Sequence, residues 1–195
     1  MSEHVATLTV ADSLELIIAE NVALQGSLAE QADLTSLDDA ARHLSGAKRV
    51  FVLGAGRSGI ALNMTAMRLM HLGLSVHVVG EITAPAITAG DVLLTASGSG
   101  TTSAIVRAAE TAAGLGANVV AITTAADSPL AKLASVVVVL PAATKQDHSG
   151  AASQQYAGGL FEQAVGLIGD AIFHSLWKAS GATAEQLWTR HSNLE

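Results

Sequence analysis

Four hydroxyl side chains and two glycines stand together directly after an apolar run and before a helix-like pattern. They are Ser97, Gly98, Ser99, Gly100, Thr101 and Thr102. Glycines let the backbone approach a ligand closely, and the free N–H groups at a helix start favour an anion. The hydroxyls add further donors. No lysine follows a glycine, as it does in a P-loop, so this segment predicts a phosphate-binding loop of another kind.

A second glycine loop, residues 54–59 with the sequence Gly-Ala-Gly-Arg-Ser-Gly, also follows an apolar run. Its G-x-G-x-x-G pattern is typical of dinucleotide binding, and Glu81 lies near the usual offset of a ribose-binding acid. The pattern alone is weak and equally fits a tight turn. Ser58 adds a donor here, and Arg57 either contacts substrate oxygens or pairs with an acid. Two hydroxyl-bearing loops favour a compact phosphate ester over an extended dinucleotide.

Composition narrows the class of function. Of 195 residues, 50% are hydrophobic and 14% charged, with a net charge of −7. Nucleic acid and anionic membranes are therefore poor partners, and the high apolar content predicts a buried subunit interface. The absence of cysteine excludes disulfides and thiolate chemistry, and no histidine–carboxylate spacing predicts a metal site. The first residues lack the features of a signal peptide, so we expect a cytoplasmic protein.

Apolar runs alternate with helical patterns along the chain. Strand-like runs occupy residues 49–53, 75–79, 92–96, 119–123 and 136–140. Helical patterns occupy residues 9–31, a stretch capped by Thr35 or Ser36, 60–72, 102–115, 129–133, 159–178, and a last stretch capped by Thr183.

Continuous β-branched runs are typical of parallel strands that are covered on both faces. We therefore predict an α/β three-layer sandwich, a doubly wound five-stranded parallel sheet with helices on both faces. We expect residues 1–34 to form a helical arm and residues 35–195 a single domain. Both glycine loops follow strands, so they should meet at the carboxyl edge of the sheet, where such folds bind ligands.

Two residues outside the loops are candidates for proton transfer. Glu162 lies among apolar residues at the start of the long helical pattern, where a carboxylate can act as a base or simply interact with the helix dipole. For His191, the residues alone favour an inert tail. For the remaining candidates we expect packing or solvation rather than catalysis, with core packing for the methionines. These are His71, His77, His148, His174, Met64, Met67 and Met70.

From residue 50 onward the sequence resembles the sugar isomerase (SIS) domain family. The matching stretches are GAGRSG, AMRLMHLG, VVGE followed by PAI, SGSGTT, SPLAKLA, GGLFEQ and the terminal RHSNLE. The MRLMHLG, VGE and RHSNLE stretches are similar to the branch that interconverts D-arabino-hex-3-ulose 6-phosphate and fructose 6-phosphate. The resemblance implies this reaction, in the ribulose monophosphate pathway of formaldehyde fixation, through an enediol and without metal or cofactor. It also implies a homo-oligomer, commonly a tetramer.

The resemblance further implies roles for single residues. The serine-threonine loop holds the phosphate, Ser58 lies near the substrate, and Glu162 is the base. His191 can enter a neighbouring subunit's site and shuttle protons between substrate oxygens. Thr101 stands where the family usually carries an acid. Two alternatives stay open: another aldose–ketose isomerase, such as one for a pentose 5-phosphate, and a non-catalytic sugar-phosphate sensor.

Overall fold

The computed structural model describes residues 8–30, 34–142 and 153–194. Within these residues five strands form one parallel sheet in the order β2-β1-β3-β4-β5. The strands are β1 (Val50–Gly54), β2 (Val76–Val78), β3 (Val92–Ala96), β4 (Asn118–Thr123) and β5 (Val136–Val139). The predicted sheet is confirmed, and β2 is two residues shorter than its apolar run.

Helices cover both faces of the sheet, as predicted. In the described residues they are α1 (Val10–Glu30), α2 (Thr35–Gly46), α3 (Gly56–Leu72), α4 (Ser103–Gly114), α5 (Pro129–Leu133), α6 (Gly159–Ser180) and α7 (Ala184–Trp188). One core cluster joins α2, α3 and α6 to the sheet through side chains such as Val50 and Val52. The other joins α4 and α5 to the opposite face through Phe51 and Leu93. Alternate strand residues therefore enter different cores, which explains their continuous hydrophobicity.

Three helix ends differ from the prediction. Helix α3 begins four residues early, because the Gly54–Gly59 loop forms its first turn rather than a separate connection. Leu34, and not Thr35 or Ser36, occupies the N-cap position of α2. Thr183 caps α7 as predicted, through a capping box with Gln186, but this helix ends at Trp188, before the terminal segment.

Helices α3 and α6 pack closely because glycine stands at the contact. A Cβ added to Gly169 on α6 would lie 1.9 Å from Oγ1 of Thr65 on α3. Thr65 is buried and β-branched, so its side chain has little freedom to move away. This contact sets the distance between the two helices.

The expectation that the α3 methionines pack in the core is wrong. Met64 and Met67 are 56% and 57% exposed, and Met70 is also exposed. Helix α3 buries the face that carries Leu62 and Leu69, and the methionine row runs along the other side. Helical spacing groups the three methionines correctly but does not tell which side meets the sheet.

Helix α1 lies outside the sandwich and packs on α6. It buries Leu24 but exposes Leu14, Ile18 and Val22. The boundary between an arm and a domain at residue 34 remains a prediction. In the parts of the chain that the structure describes, no helix combines the length and apolar character needed to cross a membrane.

Substitution of Gly169 by alanine tests the α3–α6 contact. We expect Gly169→Ala to lower the free energy of unfolding by about 1–3 kcal/mol, because the added methyl overlaps Thr65. The matched control is Gly114→Ala on α4, where an added Cβ meets nothing within 4 Å; it should raise stability by up to about 1 kcal/mol. Urea unfolding at one protein concentration measures both. Equal stability of the two variants would contradict the close contact.

Candidate active site

The two glycine loops line one cavity at the carboxyl ends of β1 and β3. These strands pair in register, with Gly54 opposite Ala96, so the loops that follow them start side by side. The cavity has a volume of about 430 Å³. It brings together six of the predicted site residues, Ser58, Ser97, Gly98, Ser99, Thr101 and Thr102. Among the described residues that line it, none is acidic, which suits an anion.

Hydroxyl groups inside the loop are already arranged in pairs. Ser97 Oγ lies 3.0 Å from Thr102 Oγ1, and the Thr101 hydroxyl donates to Ser99 Oγ at 2.9 Å. Thr102 is the N-cap residue of α4, and its side chain makes no capping bond to that helix. All four hydroxyl residues line the same cavity as the N-terminal end of α4, an arrangement that suits a phosphate group.

Residues at the carboxyl end of β4 and just after it contact the backbone of this loop. The hydroxyls of Thr123 and Thr124, at the end of β4, both donate to the carbonyl of Gly98, at 3.1 and 2.8 Å. Gly100 is buried with φ of 62°, and a Cβ there would lie 2.0 Å from Ser128 Oγ. Sequence reasoning did not identify Thr123, Thr124 and Ser128, although the carboxyl end of a parallel strand is a known position for site residues.

The first loop brings Ser58 to the same cavity through close packing of glycines. A Cβ on Gly54 would lie 2.7 Å from Cα of Gly59, so the first turn of α3 touches the end of β1. Ser58 is buried in this turn and lines the cavity. The glycine pattern therefore serves the close approach of helix and strand, which a side chain would prevent.

Glu162 and Arg57 form an ion pair in an adjacent cavity of about 590 Å³. The Arg57 Nε–H group donates to Oε2 of Glu162. The carboxylate is buried, whereas the Arg57 side chain is 70% exposed. Gln155 and Tyr156 line the same cavity, and sequence reasoning assigned them no role. A buried carboxylate beside a guanidinium can accept a proton and keep a counter-charge close to a reacting oxyanion.

The two cavities are neighbours. Arg57 of one and Ser58 of the other are consecutive residues in the first turn of α3. Phe161, which precedes Glu162, packs against the loop at Gly98, where an added Cβ would lie 3.6 Å from the ring. A ligand whose anionic end occupies the loop can therefore extend towards the carboxylate.

His191 does not join this group within one chain. Its ring stacks on His71 and lies close to Trp188, with centroid distances of 4.5 and 4.4 Å. Arg190 donates to the His71 carbonyl at 3.3 Å, which ties the terminal segment to the end of α3. His71 stands 13 residues after Ser58, about 20 Å along the helix. The pKa of His71 lies below its ordinary value. Burial is the largest cause, and the charges of His191 and Arg68 lower the pKa further.

Other sequence candidates lie away from the loops. Glu81 lines a separate, mainly apolar cavity of about 320 Å³, so it does not take the position of a ribose-binding acid. His77 packs near Phe51, and His174 meets Trp177 edge-on. His148 lies outside the described residues. Among the residues that are described, no group of three or more histidines and carboxylates is arranged to hold a metal ion.

The chain is similar to a known domain family and to several known proteins. The SIS domain family model matches residues 43–157. A 3-hexulose-6-phosphate isomerase of Mycobacterium gastri is 59% identical over 80% of this chain and 78% of its own. Another of Bacillus subtilis (strain 168) is 37% identical, over 81% and 86% of the two chains. A Methanococcus jannaschii structure, from which a 3-hexulose-6-phosphate isomerase function was inferred, has a TM-score of 0.81 at 26% identity and covers 94% of this chain and 99% of that one. This chain therefore belongs to the SIS domain family.

Proposed function

We propose that this chain is a 6-phospho-3-hexuloisomerase, which interconverts D-arabino-hex-3-ulose 6-phosphate and fructose 6-phosphate. The observation that carries the proposal is the hydroxyl-lined loop beside a buried carboxylate at one sheet edge. The relatives named 3-hexulose-6-phosphate isomerase support the choice of substrate. The reaction belongs to the ribulose monophosphate pathway, and we place it in the cytoplasm.

Binding in this proposal begins with the phosphate. Hydroxyls of the 97–102 loop and the N-terminus of α4 hold it, with Ser97, Ser99 and Thr102 as the main donors. Ser58 supports the adjoining part of the sugar, since it lines the same cavity. The open-chain ketose then extends towards Glu162 and places C2 and C3 beside its carboxylate.

Glu162 moves the proton in this mechanism. It takes the proton from C2 of the 3-ketose, a C2–C3 enediolate forms, and the protonated Glu162 then delivers a proton to C3. The hydroxyl proton on O2 passes to O3, so the carbonyl ends at C2 and no atom is gained or lost. Arg57 orients the carboxylate and stabilises the enediolate charge, because it already pairs with Glu162 and remains accessible.

His191 completes the site from a neighbouring subunit in this proposal. It lies too far from Glu162 of its own chain to transfer a proton between O2 and O3 there. The neighbouring subunit belongs to a tetramer in this proposal. Each subunit has residues 35–195 as its domain and residues 1–34 as an arm. An apolar surface on α1, α3 and α6 supports assembly. Its exposed members are Leu14, Ile18, Val22, Ile60, Met64, Met67 and Leu167.

Proton NMR with fructose 6-phosphate in D2O tests the reaction. We expect deuterium at C3 and a new 3-ketose signal without added metal or nucleotide, because the proton that Glu162 takes from C3 can exchange with D2O before the enediolate is protonated again. Exchange at C1 with an aldose product would replace the proposal by a conventional aldose–ketose isomerase. Saturable binding without exchange would replace it by a sugar-phosphate sensor.

Glu162→Gln tests the base. The amide keeps the size of the side chain but cannot accept the proton, so kcat should fall about 10²- to 10⁴-fold. Binding of fructose 6-phosphate, measured by calorimetry, should persist because the phosphate loop is unchanged. Glu110→Gln, an exposed acid on α4, is the matched control and should keep full activity. Full turnover by Glu162→Gln would show that another group is the base.

Subunit mixing tests the position of His191. We expect Glu162→Gln and His191→Asn chains to be inactive alone and to recover activity when co-expressed. Random assembly leaves about a quarter of the sites with both native residues if they come from different chains. Co-expression of Glu162→Gln with the doubly substituted chain is the control and should recover nothing. No recovery in the first mixture would contradict a shared site.

A further inference from the structure

Glu20 on α1 binds the segment that leads into α6. Its Oε1 accepts the backbone N–H of Gln154 at 2.7 Å. Its Oε2 accepts the Ser153 hydroxyl at 2.7 Å and the side-chain amide of Gln155 at 2.9 Å. The two carboxylate oxygens together therefore bind three consecutive residues that are distant from Glu20 in sequence. A short 3-10 turn, Tyr156–Gly158, connects these residues to the helix that carries Glu162.

The contact continues from this segment into α6. Gln163 donates its side-chain amide to Oε1 of Gln155 at 2.8 Å, and Asn21 donates to Oε1 of Gln163 at 2.6 Å. Gln163 directly follows Glu162. One hydrogen-bond network thus connects two neighbouring residues of α1, Glu20 and Asn21, to the start of α6.

The start of α6 has little local support of its own. Gly158 is its N-cap residue, with φ of 80° and no capping side chain. Ala157 before it has φ of 51°, which is unusual for a residue with a Cβ. The chain therefore turns into α6 through two left-handed residues that need support from elsewhere. The Glu20 network supplies such support.

The network requires a negative charge on Glu20. All three partners of its carboxylate donate hydrogen bonds, so the ionised form satisfies them best. Burial works to raise the pKa of Glu20, but the bonds from Gln154, Ser153 and Gln155 together outweigh it and leave the pKa below its ordinary value. At neutral pH the carboxylate is ionised.

We propose that Glu20 is a positioning residue for isomerisation. Through residues 153–155 and Gln163 it holds the first turns of α6, and so keeps the Glu162 carboxylate where the substrate carbons lie. The inference rests on the proposed function, in which Glu162 is the base. It gives α1 a part in the chemistry of its own chain, in addition to any part in assembly.

Glu20→Gln is the direct test. It removes the negative charge and replaces one carboxylate oxygen by an NH2 group, which faces the hydrogen-bond donors of residues 153–155. We expect kcat to fall about 10- to 100-fold, because the start of α6 shifts and displaces the Glu162 carboxylate. KM should change less than about threefold, because the phosphate loop does not contact Glu20. Glu15→Gln removes the same charge from an exposed position on the same helix and should change neither constant.

Two readouts separate positioning from a general loss of stability. Amide exchange in residues 153–163 should be faster in Glu20→Gln than in Glu15→Gln, with the protection of β1, β3 and β4 unchanged. Combined with Glu162→Gln, the Glu20 change should add no further loss of kcat, since it acts through that residue. Unchanged kcat and exchange, or a fully multiplicative double variant, would overturn the inference. Absence of isomerisation by the native chain would instead overturn the proposed function.

Ser153→Ala covers the case in which Glu20→Gln does not fold. It removes one of the three bonds to the carboxylate and leaves the charge in place. We expect kcat to fall about threefold to tenfold with KM unchanged, since the bond to the Glu20 carboxylate is lost together with the bond that the Ser153 hydroxyl accepts from the backbone N–H of Gln155. Full kcat in a folded Ser153→Ala variant would overturn the inference in the same way.

Discussion

The in-register pairing of β1 with β3 is the constraint on which the candidate site depends. The chain passes from β1 to an outer strand, β2, before it returns to pair on the other side of β1. Helices α3 and α4 therefore leave neighbouring strands towards opposite faces of the sheet. Their N-termini diverge around a crevice, and both glycine loops open into it. Without this order of strands, the two loops would not line one cavity.

Close backbone contacts then bring Glu162 to this edge. Gly54 and Gly59 let α3 touch the end of β1, and Gly169 lets α6 lie against Thr65 of α3. The start of α6 thereby reaches the first turn of α3, where Arg57 stands. Burial of an unpaired carboxylate costs several kcal/mol, and the Arg57 guanidinium offsets this cost while it remains accessible. The packing of α3 against α6 therefore also determines the electrostatic surroundings of Glu162.

Two features of the chain lie apart from the candidate site and bear on the proposed assembly. His191 is placed near the far end of α3, and apolar side chains remain exposed along α1, α3 and α6. In the proposed mechanism the same assembly would bury those side chains and deliver the histidine. Helix α1 contributes to both the candidate site and the proposed assembly. One side contacts the segment before α6 through Glu20, and another side exposes Ile18 and Val22.

Local patterns by themselves determined the sheet, most helices and both glycine loops, because strand hydrophobicity, helical spacing and turn chemistry act over a few neighbouring residues. The family resemblance assigned Glu162 a role that the residues alone left open, and it assigned His191 a role where the residues alone favoured an inert tail. Tertiary structure alone decided the exposure of the α3 methionines, the support of the 97–102 loop by Thr123, and the position of His191 beside His71 and Trp188. It also revealed the contact of Glu20 with residues 153–155. Each of these features depends on which distant segments of the chain come into contact. Strand order and helix packing determine those contacts, and no short stretch of sequence specifies them.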